Sequence, residues 1–282
     1  MAEGLFSGLE SFGIKGLEGM EVFEDKEDSQ KVEKKVAQPV APKFAEKDFL
    51  FDKACTCPVC ESGFKSKTVM SSKLKLIGSG HALRPKYEYV DIVKYDVIMC
   101  PYCGYTALTK YFPGILESQK KLIREKVSMG FYASSTLPET YSYEDAIERY
   151  KVALLNAVIK GGKNSEKAYI CLKGMWICEG RLEECEKGSR EYEKAEVLME
   201  EFRKNALEGF INAVATESFP MCGMDESTVD YIIAVLSLDE NKYEICSKLI
   251  SKILVSNAAN NRLKDRTRDL KEELLMKLKK KK

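Results

Sequence analysis

Two short runs, Cys57-Pro58-Val59-Cys60 and Cys100-Pro101-Tyr102-Cys103-Gly104, are where residue type and spacing in this chain could do chemistry. A gap of two residues lets both sulfurs of one knuckle point at a common ion while nearby backbone N–H groups turn toward the thiolates. Gly104 permits the tight turn that follows. Two knuckles supply four thiolates, which complete a tetrahedron. Soft sulfur selects zinc over magnesium or calcium, and iron is the other metal that uses this geometry. The expectation is therefore one Zn2+ per chain, held by Cys57, Cys60, Cys100 and Cys103.

Other readings of these cysteines are weaker. A thioredoxin-like redox pair needs a helix N-terminus after a βαβ unit, whereas both pairs here sit beside strand-forming residues. Cys55 lies two residues before Cys57 but lacks the partner at the right spacing, so it reads as a spare thiol. His81 is the only histidine, and with four cysteines already sufficient it reads as a surface or hydrogen-bonding residue. A single histidine also leaves little room for Ser-His-Asp or His-rich metal catalysis, so no catalytic residue is assigned. Cys171, Cys178 and Cys185 recur every seven residues on one helix face, about 10 Å apart along its axis. That separation is too long for a disulfide or a shared ion, and it marks them, with Cys222 and Cys246, as small apolar seam residues.

The elements that must position the knuckles follow from composition and period. Residues 1–53 are rich in Glu, Lys and Gly, with eight lysines against twelve acids. They read as a disordered acidic tail in which an apolar pair beside an acid occurs twice, at Leu9–Phe12 and Met20–Phe23, as candidate docking motifs. Residues 54–112 turn to strand formers, partly alternating over Lys67–Ile77 and again in YEYVDIVKYDVIM from Tyr87 to Met99. This predicts a small antiparallel zinc ribbon. After Pro113-Gly114 the period is helical, with candidates at Ile115–Phe131, Tyr143–Ile159, Ser165–Lys187, Arg190–Glu217, Ser227–Leu238, Tyr243–Ser256 and Asn260–Leu278. Residues 113–258 read as a tetratricopeptide-like domain, with a plain helical bundle as the alternative: Asp230, Ile233, Ala234, Tyr243 and Cys246 fit one degenerate repeat, and Ala168, Leu172, Gly174 and Trp176 with Tyr192 and Ala195 fit a second only with roughly nine extra residues around Arg181–Ser189. Residues 259–282 read as a basic C-terminal helix and tail. The fold class expected is α+β, mostly α.

The runs CPVCESGFKSKTVMSSKL, LRPKYEYVDIVKYDVIMCPYCGYTA, AYICLKGMWICEG and VDYIIAVLSLD together resemble a bacterial family of uncharacterised proteins, domain of unknown function 2225. The resemblance covers about Cys57 to Asn257, and its most specific part is the pair of knuckles with CGY after the second. It implies metal-ligand roles for the four cysteines, a repeat-like helical part and a bacterial origin, but no activity. It also implies an acidic element before the Pro-x-Tyr stretch, a place taken here by Gly80-His81-Ala82-Leu83-Arg84.

Net charge is +1, so no whole-molecule field draws the chain to nucleic acid or an anionic membrane. The absence of a long apolar run and of a leader pattern predicts a cytoplasmic protein, and ten cysteines in such a chain read as reduced thiols. The function expected is a zinc-binding, non-enzymatic scaffold that meets a protein partner through its helical domain or tail. The alternatives are a nucleic-acid-binding ribbon, on its Lys65, Lys67, Lys73, Lys75 and nearby tyrosines, or a thiol-based redox sensor.

Overall fold

The computed structural model describes residues 44–131 and 137–280. The doublets at Leu9–Phe12 and Met20–Phe23 lie outside these residues. The described residues open with a 3-10 turn, Glu46–Phe49, and three antiparallel hairpins: β1 (Leu50–Thr56) with β2 (Gly63–Val69), β3 (Leu76–Ser79) with β4 (Pro85–Tyr87), and β5 (Val97–Met99) with β6 (Thr106–Leu108). Among the described residues seven α-helices follow: α1 (Glu117–Lys126), α2 (Tyr143–Ile159), α3 (Asn164–Glu184), α4 (Arg190–Thr216), α5 (Glu226–Asp239), α6 (Tyr243–Val255) and α7 (Asn261–Lys280). The architecture is α+β, mostly α.

Three details depart from the expectations. The first strand begins at Leu50, inside the stretch read as tail, because Leu50 pairs with Val69 and is buried. Its sequence LFDKACT is mostly exposed and carries no apolar alternation to announce it. The strand-like run before the second knuckle is interrupted: the Asp91 side chain accepts from the Val93 N–H at 3.0 Å and starts a 3-10 turn over Ile92–Tyr95. The ribbon is therefore built from three two-stranded pieces rather than one sheet. Finally, the basic C-terminal segment is part of the bundle, since α7 packs on α5 and α6 and buries Leu263, Leu270 and Leu274.

Helix starts are written locally. Ser142 accepts from the Asp145 N–H at 3.0 Å while the Asp145 carboxylate accepts from the Ser142 N–H at 2.9 Å, a capping box that opens α2. Ser189 and Asp225 cap α4 and α5 in the same manner, accepting from Tyr192 and Thr228 N–H groups. Consecutive helices then pack, α2 on α3, α3 on α4, α5 on α6 and α6 on α7. Small residues set the approach: a Cβ on Gly174 would lie 2.8 Å from the Phe202 ring, and Ala234 and Cys246 are fully buried on α5 and α6. Cys171 and Cys178 are buried as seam residues, whereas Cys185 caps the end of α3. Cys222 is not on a helix at all; it sits in the tight turn between Met221 and Met224, at φ 53°, with its thiol 3.2 Å from the Ser165 carbonyl.

Candidate metal centre

Each knuckle is the turn of a hairpin. Cys57 follows β1 and Cys100 follows β5, so both reach the site from a strand end, and the next strand begins three residues after each second cysteine. The two turns share one hydrogen-bond pattern. Cys57 N–H donates to Ser62 O at 3.0 Å and Glu61 N–H to Cys57 O at 2.9 Å; Cys100 N–H donates to Tyr105 O at 2.9 Å and Gly104 N–H to Cys100 O at 3.1 Å. The fifth residue of each turn is left-handed, with φ 62° at Glu61 and 72° at Gly104. In the first knuckle the Val59 N–H also points at the Cys57 sulfur, at 3.4 Å.

The structure brings Cys57, Cys60, Cys100 and Cys103 together with all four sulfurs within 4.8 Å of one another. Two cross-knuckle pairs, Cys57 with Cys103 and Cys60 with Cys100, are 3.6 Å apart. A tetrahedral ion with metal–sulfur bonds of about 2.3 Å sets its sulfurs roughly 3.8 Å apart, so the arrangement fits a tetrahedral ion. No disulfide joins them. Cys57 and Cys100 are fully buried among Val59, Ile98, Tyr105, Ile123 and Val127.

The electrostatics of the bare thiols favour one charge, not four. Hydrogen bonds from Cys100 and Cys103 pull Cys57 down to about 2. Cys103 is pushed up by its sulfur neighbours Cys100 and Cys57 and by burial. One thiolate forms easily and the next requires a positive charge nearby, which a divalent cation supplies as it displaces the protons.

The backbone of the knuckles is tied to the helical part. Arg124, on α1, donates from Nε and Nη2 to the Val59 carbonyl at 3.0 and 2.6 Å. The Ser128 hydroxyl donates to Cys103 O at 2.9 Å, and the Asn156 amide, from α2, to Gly104 O at 3.2 Å. The Phe131 ring lies where a Cβ on Gly104 would be, 2.5 Å from it. Nothing in the sequence around Arg124, Ser128 or Asn156 announces these roles.

Cys55 and His81 stay outside the cluster. Cys55 stands 3.7 Å from its neighbour's Lys53 carbonyl, and burial raises its thiol. His81 bridges two helices: Nδ1 is 3.0 Å from Glu179 of α3 and Nε2 is 2.9 Å from Asp239 of α5. Burial opposes its charge, but the two carboxylates outweigh it and raise the imidazole to about 10. Three residues on, buried Arg84 pairs with Asp91 at 2.8 Å and Glu183 at 3.1 Å. Ala82 and Leu83 between them adopt φ 44° and 68°. This turn is thus a structural clamp, and the only hint of it in the sequence was a lone histidine among uncharged neighbours.

Residues 50–274 match the family model described as an uncharacterised protein conserved in bacteria, domain of unknown function 2225. The chain belongs to this family. Its matched region contains both knuckles, the clamp and six helices in full. No curated protein and no solved structure matches the chain. Among the described residues, no helix is long and apolar enough to cross a membrane.

Proposed function

We propose that this family member holds one zinc ion as a structural centre and works as a non-enzymatic scaffold for a protein partner. The observation that carries the reading is the closed donor set: four sulfurs converge within 4.8 Å of one another on one point. Four protein ligands use every tetrahedral position, leaving none for an activated water. The ion would also contribute to folding, because its ligands come from two hairpins 39 residues apart that the thiols alone hold with weak S–H contacts.

The surface supports a protein partner over a nucleic acid. Lys67, Lys75 and Lys86 are each paired with an acid, Lys94 is buried against Glu46, and Tyr95 and Tyr105 are buried, so part of the charge and stacking a strand would use is engaged within the chain, while Tyr89 and Tyr102 stay exposed. The helical part exposes Leu155, Val158 and Val197, apolar groups available to a protein contact.

Elemental analysis tests the metal. Purified protein should carry about one zinc per chain. Cys100→Ser should lose it, and Cys178→Ser should keep it. Stoichiometric zinc in the Cys100→Ser protein would refute the assignment. Affinity capture with the full chain, beside one lacking residues 1–43, tests the scaffold reading; recovery of nucleic acid in place of a specific protein would refute it.

A further inference from the structure

A cavity of about 500 Å³, open to solvent, lies where the ribbon meets α3 and α5. Its size is that of a small-molecule site. Four aromatic rings line it, those of Tyr87, Tyr95, Tyr169 and Trp176, with aliphatic side chains between them. Among the described residues that line it, only Asp96 and Lys173 are charged, and they form an ion pair with each other. The Lys173 ammonium also sits 4.5 Å from the centre of the Tyr169 ring. Burial opposes its charge, but Asp96 and Tyr169 outweigh that and raise its pKa.

These walls define a ligand. The two charges cancel, so a phosphate or any net ion entering would be desolvated without a free counter-charge. Aromatic faces favour a flat ring. Asp96 Oδ2 takes the lysine, so a carboxylate acceptor stands beside a multi-donor ammonium. A ring edge with an N–H next to a carbonyl or ring nitrogen matches that pair. We propose that this cavity binds a neutral, flat heterocycle of the nucleobase class, its edge on Asp96 and Lys173 and its ring against the aromatic and aliphatic wall. The proposal does not depend on the scaffold reading or on the metal.

Trp176 is the single tryptophan of the chain, so its emission reports on the cavity. The full-length protein would be titrated with each of the four common ribonucleosides. At least one should change Trp176 emission with saturation below about 1 mM, and should raise the melting temperature. Its 5′-monophosphate should bind at least tenfold more weakly. Thr228→Phe, a rim substitution that narrows the cavity without touching the ion pair, should abolish the saturable change while zinc content stays normal. Lys173→Met should weaken binding about tenfold, a loss of one charged hydrogen bond. No saturation with any nucleoside, an unchanged response in Thr228→Phe, or equal binding of the monophosphate would overturn the proposal.

Discussion

The two knuckles share a backbone pattern but carry different residues at their left-handed position, and this asymmetry yields opposite expectations for two single substitutions. At Gly104, alanine would meet two costs. An L-residue held at φ 72° pays about 1–2 kcal/mol. A new Cβ 2.5 Å from two atoms of the Phe131 ring forces that ring aside, and overpacking of this kind costs about 1–3 kcal/mol. Together Gly104→Ala should destabilise by about 2–5 kcal/mol. In a protein of this size each kcal/mol moves the melting temperature by about 2–4 °C, so a fall of at least roughly 4 °C is expected. At Glu61 the strain is already present, at φ 62°, on an exposed side chain. Glu61→Gly should release about 1–2 kcal/mol of that strain, partly offset by the greater freedom of glycine in the unfolded chain, about 0.5–1 kcal/mol. The net is a stability unchanged or raised by up to about 1.5 kcal/mol. The assay is thermal and denaturant unfolding at fixed free zinc, with retained metal measured after dialysis against a weak chelator. If Glu61→Gly lost as much stability as Gly104→Ala, or if Gly104→Ala were harmless, the equivalence of the two turns would be wrong.

The His81 clamp should give a pH-dependent contribution. Its folded pKa, about 10, lies above the roughly 6.5 of a free imidazole, so the stability it contributes is fully present below about pH 6.5 and is lost as pH rises through about 10. The unfolding difference between wild type and His81→Gln, set against Glu179, Asp239 and nearby Arg84, should therefore be largest at pH 6 and close toward pH 10; a gap that grows with pH would contradict it. The buried pair of Lys160 and Glu166, 2.7 Å apart, makes a second stability test. Lys160→Met leaves the carboxylate without its partner and should cost about 3–5 kcal/mol by denaturant unfolding; a loss under about 1 kcal/mol would show that Glu166 finds another partner. Any binding to single-stranded nucleic acid should be feeble near physiological salt, and submicromolar, salt-sensitive binding lost on charge reversal of Lys73 and Lys75 would contradict the protein-partner reading.

The four-cysteine site was legible because its information is short-range. Two residues between cysteines, a proline inside and a left-handed position after them constrain one turn, and a turn depends on its own few residues. Helices were legible for a like reason: α2 begins at Tyr143 because Ser142 and Asp145 cap each other, and the 3.6-residue period persists over whole elements. The tertiary structure decided whatever depends on partners distant in the chain. Strand β1 exists because β2 pairs with it along its whole length, not because LFDKACT favours a strand. Arg124 reaches Val59 across 65 residues, and His81 meets Glu179 and Asp239 across 98 and 158, with no local pattern to mark either. The cavity at Trp176 arises in the same way, since an empty volume belongs to the surfaces that meet around it and to no single segment. Local chemistry wrote the metal site into the sequence; long-range packing alone decided which groups surround it.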